Sequence, residues 1–542
     1  MKKKIGICLI AAILAGTVFV GCDTEQKQKT GFSVTTGNDV QIKQPKHEIT
    51  LSMHIPETLN PLYNRDASVD RILKLIYLPL IAQDANGKPK ESVAKSWVVS
   101  EDGMMASLQL QEGMTWQNGS PVTADDVVFS FHAIQNSAED AVYRHVTDYV
   151  ASCTKTGQNS VNIWFREPFS GNLSALYFPV ISAEYYKGQT EVGSDVNMKP
   201  MGNGPYQMEQ YTMASSMTLI PNQSYREGVA KIPKMIVKIT GNDETDGYSF
   251  SQGILDVMVA DATDAGKYMA ENESLKSYPF DSGVYDFIGF QFDSAVFQEK
   301  TVRQAVAYVV PKDYIYESVY LQYANMTNSP VSPQSWLYEE NVAPYHYDPA
   351  MAATILKNAG WKDTNNDKIP EKTTEDGAVL ELRATILVNQ ENTARMQIAS
   401  KLAEELKALG FSITIDAQPY DVYAEKFATG KYDMVVGGWR MSEVPNLSAF
   451  FGSKGMYNYI HYQDENMDAL LYAANHAVTE GQTLLAYSNL QKKFAEELPY
   501  ISIAYRQDIL LTSEDIAGEI TPNRINPYDG IVNWTIGKDT KS

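Results

Sequence analysis

At 542 residues the chain is too long to close around a single hydrophobic core, and its length sets an expectation of three domains. With 45 Lys and Arg against 66 Asp and Glu, the formal net charge of −21 excludes nucleic acid and anionic lipid surfaces as electrostatically favoured partners, and reads first as a source of solubility. Of the three cysteines, Cys8, Cys22 and Cys153, only the last lies beyond the N-terminal segment, so no disulfide joins two residues of the body.

The N-terminus has the parts of an export signal: Lys2-Lys3-Lys4, an apolar run over 5–20 too short to favour a permanent span, and the small residue Gly21. Phe19-Val20-Gly21-Cys22 resembles a bacterial lipobox, with Phe19 where the motif usually has leucine. In a lipobox the cysteine sulfur takes a diacylglycerol and becomes the mature N-terminus, so Cys22 is the expected lipidation site. An ordinary cleaved signal with an incidental cysteine is the alternative. Residues 1–21 are thus assigned to the signal and 22–47 to a polar, flexible tether with a reach of about 25–30 Å.

The body opens with an alternating strand over 48–54, followed by Thr58-Leu59-Asn60-Pro61-Leu62. Ile72, Leu75, Ile76 and Leu80 predict a helix over 71–81, and Asn86-Gly87 a hairpin tip. The most informative stretch is 102–131, DGMMASLQLQEGMTWQNGSPVTADDVVFSF. Ala106, Leu108 and Leu110 alternate with polar residues, the period of a half-buried strand. Glu112-Gly113 turns the chain toward a short second strand carrying Trp116, and Asn118-Gly119 is a further turn signal. Thr123 stands at an N-cap with Asp126 three residues on, close to a capping box, and Val127, Val128, Phe131 and Ile134 share one helix face.

Further along, 161–165 reads as a strand, and Gly202-Asn203-Gly204-Pro205-Tyr206 leads into another, its two glycines permitting close backbone approach. A strand over 287–292 precedes a helix over 301–310, in which Arg303 reads as a structural ion-pair partner, and a further helix passes through Ile315 and Val319. Another helix starts at Asp348-Pro349 and ends at Gly360-Trp361. Asp363, Asn365 and Asp367 then occupy positions 1, 3 and 5 of a calcium-loop spacing, but position 6 is Lys368 rather than Gly and position 12 is Thr374 rather than Glu. This reads as a solvated turn, and no metal ligand is assigned. From 379 the periods alternate: strand 379–388, helix 393–409 closed by Gly410, strand 411–417, helix 420–428, strand 432–437. Such β-α-β units imply a parallel sheet with right-handed crossovers. A helix through Leu484, Leu485, Tyr487, Leu490 and Phe494 and a return strand over 506–511 end the body.

These motifs, in this order over 48–534, resemble the extracytoplasmic solute-binding proteins that serve ABC importers for oligopeptides, dipeptides and nickel. The 102–131 stretch, Gly202 to Tyr206, the run around Arg303, Asp348 to Trp361 and Leu498-Pro499-Tyr500-Ile501 carry the resemblance. It implies an α/β, two-lobed, periplasmic-binding-protein-like fold. The first domain would be discontinuous (48–75, 198–286 and 507–542), the second inserted in it (76–197), and the third (287–506) would form the opposite lobe, closing on ligand by a hinge. No cofactor is implied. The implied partners are a peptide or small-molecule ligand, ABC permease subunits and, through the N-terminal lipid, the cell membrane, on whose extracytoplasmic side the protein would stand as a monomer.

Ligands of open α/β sheets gather outside the carboxyl ends of strands, which makes Trp439-Arg440-Met441-Ser442-Glu443 the leading site candidate. In peptide-binding relatives an Asp three residues after this Trp takes the peptide ammonium; here that position is Ser442, and Glu443 follows. A buried ammonium without an ionic partner is costly, so either Glu443 takes it from a shifted loop or the ligand lacks a free amine. Trp439 offers a flat apolar or cation–π wall, or else packs in the core. Arg440 is a candidate carboxylate clamp, although a solvated charge is the commoner fate of arginine. Tyr206 and Asn60, the latter where the family usually has Asp, complete the expected ligand set. The competing functions are a signalling-peptide receptor, a binder of a metal chelate or oligosaccharide, and an enzyme. Against the last, the chain has no His-Glu-x-x-His, Gly-x-Ser-x-Gly or Gly-x4-Gly-Lys-Ser/Thr, and its seven histidines form no i, i+4 pair.

Overall fold

Strand Ile49–His54 buries every second side chain and runs parallel to Met235–Thr240, in a four-stranded sheet completed by Ser216–Pro221 and Tyr206–Thr212. The computed structural model describes residues 47–189, 192–342 and 345–537; the export signal, Cys22 and almost all of the tether lie outside them.

The helix expected over 71–81 is shorter and earlier, Ala67–Leu73. The Asp66 side chain accepts from the amides of Ser68 and Val69 at 2.7 and 3.1 Å, and this N-cap fixes the start. Leu75 and Ile76 remain buried, but in a turn whose backbone serves another segment. Gly204 N donates to Ile76 O at 2.7 Å and Tyr206 N to Leu75 O at 2.9 Å. A Cβ on either Gly202 or Gly204 would collide with the Ile76 carbonyl, so the close approach these glycines permit is to the chain's own backbone.

The 102–131 stretch belongs to a second, antiparallel sheet of Ala94–Val99, Met105–Leu110, Ser160–Phe165 and Val150–Gly157. Ala106, Leu108 and Leu110 are its buried positions. Trp116 is buried as well, but not on a strand: the turn at Asn118-Gly119 comes so soon that only an isolated Thr115–Pro121 bridge forms. The capping box is present at the start of Ala124–Gln135, Thr123 N donating to Asp126 Oδ2 at 2.7 Å. The other Asp126 oxygen accepts Ala183 N at 2.8 Å, so one carboxylate caps this helix and ties a distant segment to it.

The third sheet is mixed, in the order Val257–Asp261, Tyr500–Thr512, Lys276–Phe290, Met434–Arg440, Arg383–Asn389, Ser412–Gln418. Its last three strands are parallel, as the alternating periods imply, with helices Thr393–Ala408 and Tyr420–Ala428 as the crossovers. Met434–Arg440 then meets Lys276–Phe290 antiparallel. The strand expected over 379–388 is two strands: Val379–Glu381 pairs with Glu371–Thr373 in a small hairpin, and Arg383–Asn389 enters the sheet. Among the described residues Arg303 makes no salt bridge to a carboxylate. Its guanidinium donates to the carbonyls of Phe297, Gln298 and Glu497 at 2.8–2.9 Å, stopping the last turn of helix Glu480–Glu497. Leu484 and Leu485 of that helix face solvent, while Tyr487, Leu490 and Phe494 turn inward.

One continuous hydrophobic core runs from Ile49 to Trp534 and joins both four-stranded sheets. Two more cover opposite faces of the mixed sheet: Ile288, Ile386, Leu402 and Ile503 on one, Phe287, Val435, Phe494 and Tyr500 on the other. Neighbouring residues such as Phe287 and Ile288 serve opposite cores, as strand alternation requires. The result is an α/β, two-lobed fold. Among the described residues no helix is long and apolar enough to cross a membrane.

Candidate functional site

Two long antiparallel strands, Lys276–Phe290 and Tyr500–Thr512, carry the chain from the first core to the others. At one end Phe280 and Leu510 belong to the first core; at the other, Phe287 and Tyr500 stack at 3.8 Å within the mixed sheet's core. Between them the ladder breaks. Asp281 pairs with Gln507 and the next register pair is Tyr285 with Tyr505, leaving Ser282, Gly283 and Val284 outside it. Gly283 has φ +75°, a conformation that costs glycine little. This bulge lies between the first core and the cores of the mixed sheet, and the candidate site is built around it.

The expected 439–443 loop arrives here because Met434–Arg440 pairs with Lys276–Phe290 up to Val284, after which Met441 N donates to Gly283 O at 2.8 Å. Glu443 then meets Arg524, which comes from the C-terminal segment packed on the first core. Arg524 Nε donates to Glu443 Oε1 at 2.9 Å, Nη2 donates to the same oxygen, and Nη1 donates to Met441 O. The guanidinium lies directly over Gly283, where a Cβ would strike it. Asp281 stands beside the pair, accepting from Gly283 N at 2.6 Å and from the Ser332 hydroxyl. Burial pushes its carboxyl above the usual range, against these two bonds and the Arg524 charge, while Glu443 adds to the rise.

Glu443, Ser442, Asp281, Arg524 and Ser332 line a cavity of about 70 Å³. A larger cavity of about 310 Å³ adjoins it in the first lobe, with Tyr77, Tyr143, Tyr177 and Tyr528 on its walls. Gln83 and Asn523 line both, and Gln83 Nε2 donates to Asn523 Oδ1 at 3.3 Å, so this bond forms the partition. Gln83 Oε1 is buried with no hydrogen-bond partner. A ligand amide N–H at the partition would satisfy it.

The other expected ligand residues are placed elsewhere. Trp439 is half-buried in an aromatic cluster with Phe287, Phe427, Phe450, Tyr457 and Tyr459, its indole donating to Tyr500 Oη at 3.4 Å. Arg440 is exposed and donates to Ser282 O at 3.0 Å, bracing the bulge. Tyr206 is buried in the first core with its hydroxyl donating to Ile232 O. Asn60 is fully buried, donating to Asn197 Oδ1 at 2.9 Å and accepting Leu62 N at 3.0 Å, while its neighbour Pro61 reaches the larger cavity. Ser442 turns its hydroxyl to Val444 O at 2.8 Å. Sequence reasoning thus brings Ser442 and Glu443 to the cavity and misses Asp281, Arg524, Gln83 and Asn523. The one available signal was Asp281-Ser282-Gly283, a turn-forming triplet inside an otherwise apolar strand.

Gly438 has a separate role. A side chain there would collide with the Arg395 guanidinium and the Asp286 carboxylate. Asp286 is fully buried between Arg395 (3.0 Å) and Arg506 (2.5 Å), with Tyr320 donating at 2.8 Å. Burial alone would raise its pKa, but the two guanidiniums hold it below the usual carboxylate range.

A two-lobed fold with a charged cavity beside a bulged strand pair has room to hold a small solute. The family model for bacterial extracellular solute-binding proteins, family 5, middle region, matches residues 88–458. The chain belongs to that family, the solute-binding proteins of ABC importers, whose members bind solutes rather than transform them. It is 24% identical over 552 residues to the oligopeptide-binding protein AppA of Bacillus subtilis (strain 168), covering 99% of this chain and 100% of that one. Among solved structures, the ABC transporter substrate-binding protein CtaP of Listeria monocytogenes superposes with a TM-score of 0.72 at 21% identity, covering 91% of this chain and 100% of that one. NikZ of Campylobacter jejuni, in complex with Ni(L-His), gives 0.60 at 24% identity, covering 90% and 99%.

Proposed function

We propose that this protein is the membrane-anchored substrate-binding lipoprotein of an ABC importer, capturing peptides with a free amino terminus at the lobe crossing and delivering them to the permease. The supporting observation is the charge balance of the small cavity, where two carboxylates, Asp281 and Glu443, face one guanidinium, Arg524. One negative charge is left over in a poorly solvated place, and a ligand ammonium offsets it. The Gln83–Asn523 partition lets a longer ligand extend into the tyrosine-lined cavity beside it. Domains at 48–75, 198–286 and 507–542, at 76–197 and at 287–506 fit this reading, as do acylation of Cys22, a monomeric state and an extracytoplasmic position on the cell membrane.

Calorimetry with matched free and N-acetylated peptides tests it. The parent should prefer the free amine, and Asp281→Asn and Glu443→Gln should each weaken binding by roughly 2–5 kcal/mol, the range for breaking a desolvated charge pair. Ser442→Asp should strengthen the preference. If acetylated peptides bind as well as free ones to parent and variants alike, the ligand is a neutral or anionic solute instead. Cys22→Ala should move the protein out of the detergent phase, and equal partitioning would remove the lipid anchor.

A further inference from the structure

Residues 363–368 form the exposed turn that the sequence suggests, but the segment ends on a buried carboxylate, Glu371. Carboxylate oxygens of Asp363, Asp367 and Glu371 lie within 4.8 Å of one another. Oxygens sharing one calcium ion, each at about 2.3–2.6 Å from it, fall within about 5 Å of each other. The residue that completes the set is Glu371, at position 9 of the spacing rather than position 12. It is only 8% exposed, and its Oε2 is buried without a hydrogen-bond partner, while Oε1 accepts Thr364 N at 2.9 Å. A buried, unpartnered carboxylate oxygen on a residue beside two other carboxylates is a poor arrangement unless a cation lies among them.

The backbone meets the other requirement. Lys368, where calcium loops carry glycine, adopts φ +72°, so the sharp turn is made despite its side chain. A competing cation, the Arg383 guanidinium, reaches Asp367 at 3.5 Å but is half exposed and also pairs with Glu381. We propose that this loop binds one calcium ion through Asp363, Asn365, Asp367, the Ile369 carbonyl and Glu371. An all-oxygen set on an irregular loop suits calcium better than magnesium, which demands stricter octahedral geometry. The loop joins helix Pro349–Asn358 to the Glu371–Thr373 strand, and Pro370 lies where it would meet a side chain on Gly410, at the end of helix Thr393–Ala408. The ion therefore pins a junction of the second lobe and lies apart from the ligand cavity.

The test uses the full-length protein stripped with a chelator. Calcium at about 1 mM, an extracellular level, should raise the melting temperature, and the same concentration of magnesium should do so less. Terbium should give indole-sensitised emission, with Trp361 two residues before the loop, and calcium should displace it. Asp363→Asn, on the exposed side of the loop, and Glu371→Gln should each weaken calcium binding at least about tenfold while leaving the metal-free circular dichroism unchanged. The proposal is overturned if calcium produces no saturable response up to about 10 mM, or if Asp363→Asn responds like the parent, which would place the cation elsewhere.

Discussion

Arg524→Ala should open the ligand-free protein. The Arg524 and Glu443 side chains are 21% and 13% exposed. Exposed pairs contribute about 0.2–1 kcal/mol, and breaking a buried one costs about 3–5 kcal/mol. This pair lies between those limits, and the Met441 carbonyl loses a donor with it, so about 2 kcal/mol is the expected loss. That shifts the balance between lobe arrangements roughly thirtyfold. Small-angle scattering without ligand should show a larger radius of gyration for the variant, with peptide restoring the parental value. Gly283→Ala reaches the same end from the opposite side, because its Cβ would fall 2.7 Å from Arg524 Cδ and displace the guanidinium. If neither variant changes the scattering curve, the Glu443–Arg524 contact does not hold the lobes together.

Gly204→Ala should destabilise the first lobe by more than about 3 kcal/mol, since its Cβ would fall 2.7 Å from the Ile76 carbonyl carbon, a backbone atom that cannot rotate away; a parental melting temperature would contradict the packing described. Asp286→Asn should cost about 3–5 kcal/mol at neutral pH by leaving two guanidiniums against a neutral group. Because the native carboxyl titrates below its unfolded value, its contribution is complete above about pH 4 and disappears as pH falls through the native pKa. Urea titrations of the variant should therefore lose part of the acid-limb slope, and an unaltered slope would refute the assignment.

Local signals were read well where they act over a few residues. Thr123 and Asp126 form the capping box their spacing implies, and helix Tyr420–Ala428 has the bounds its pattern gives. The parallel strands after 383 followed from period alone, because short strands separated by amphipathic helices leave few other arrangements. What failed was decided by distant partners. Arg303 was expected to pair with a carboxylate but caps carbonyls brought from Glu497. The glycines at 202 and 204 announced a close approach without saying to what. Trp439 marks the end of the right strand, yet side chains alternate across it, and the indole turns into an aromatic cluster while Glu443 reaches the cavity. Arg524 and Asp281 were illegible because their roles exist only once the C-terminal segment meets the bulge.

The continuous core of the first lobe has a consequence for how the molecule is made. Its members include Ile49 near one end of the chain and Trp534 near the other, and Ile49–His54 pairs in parallel with Met235–Thr240 rather than with an early neighbour. A chain that emerges N-terminus first therefore cannot complete this lobe until nearly its last residues are free, whereas the mixed sheet has all its strands once Thr512 is out. During that interval the opening strand can already pair with Met235–Thr240, but the core it faces still lacks Ile520, Tyr528, Ile531 and Trp534, a state prone to wrong association. Late closure makes the final few dozen residues the step that commits the molecule to its finished shape.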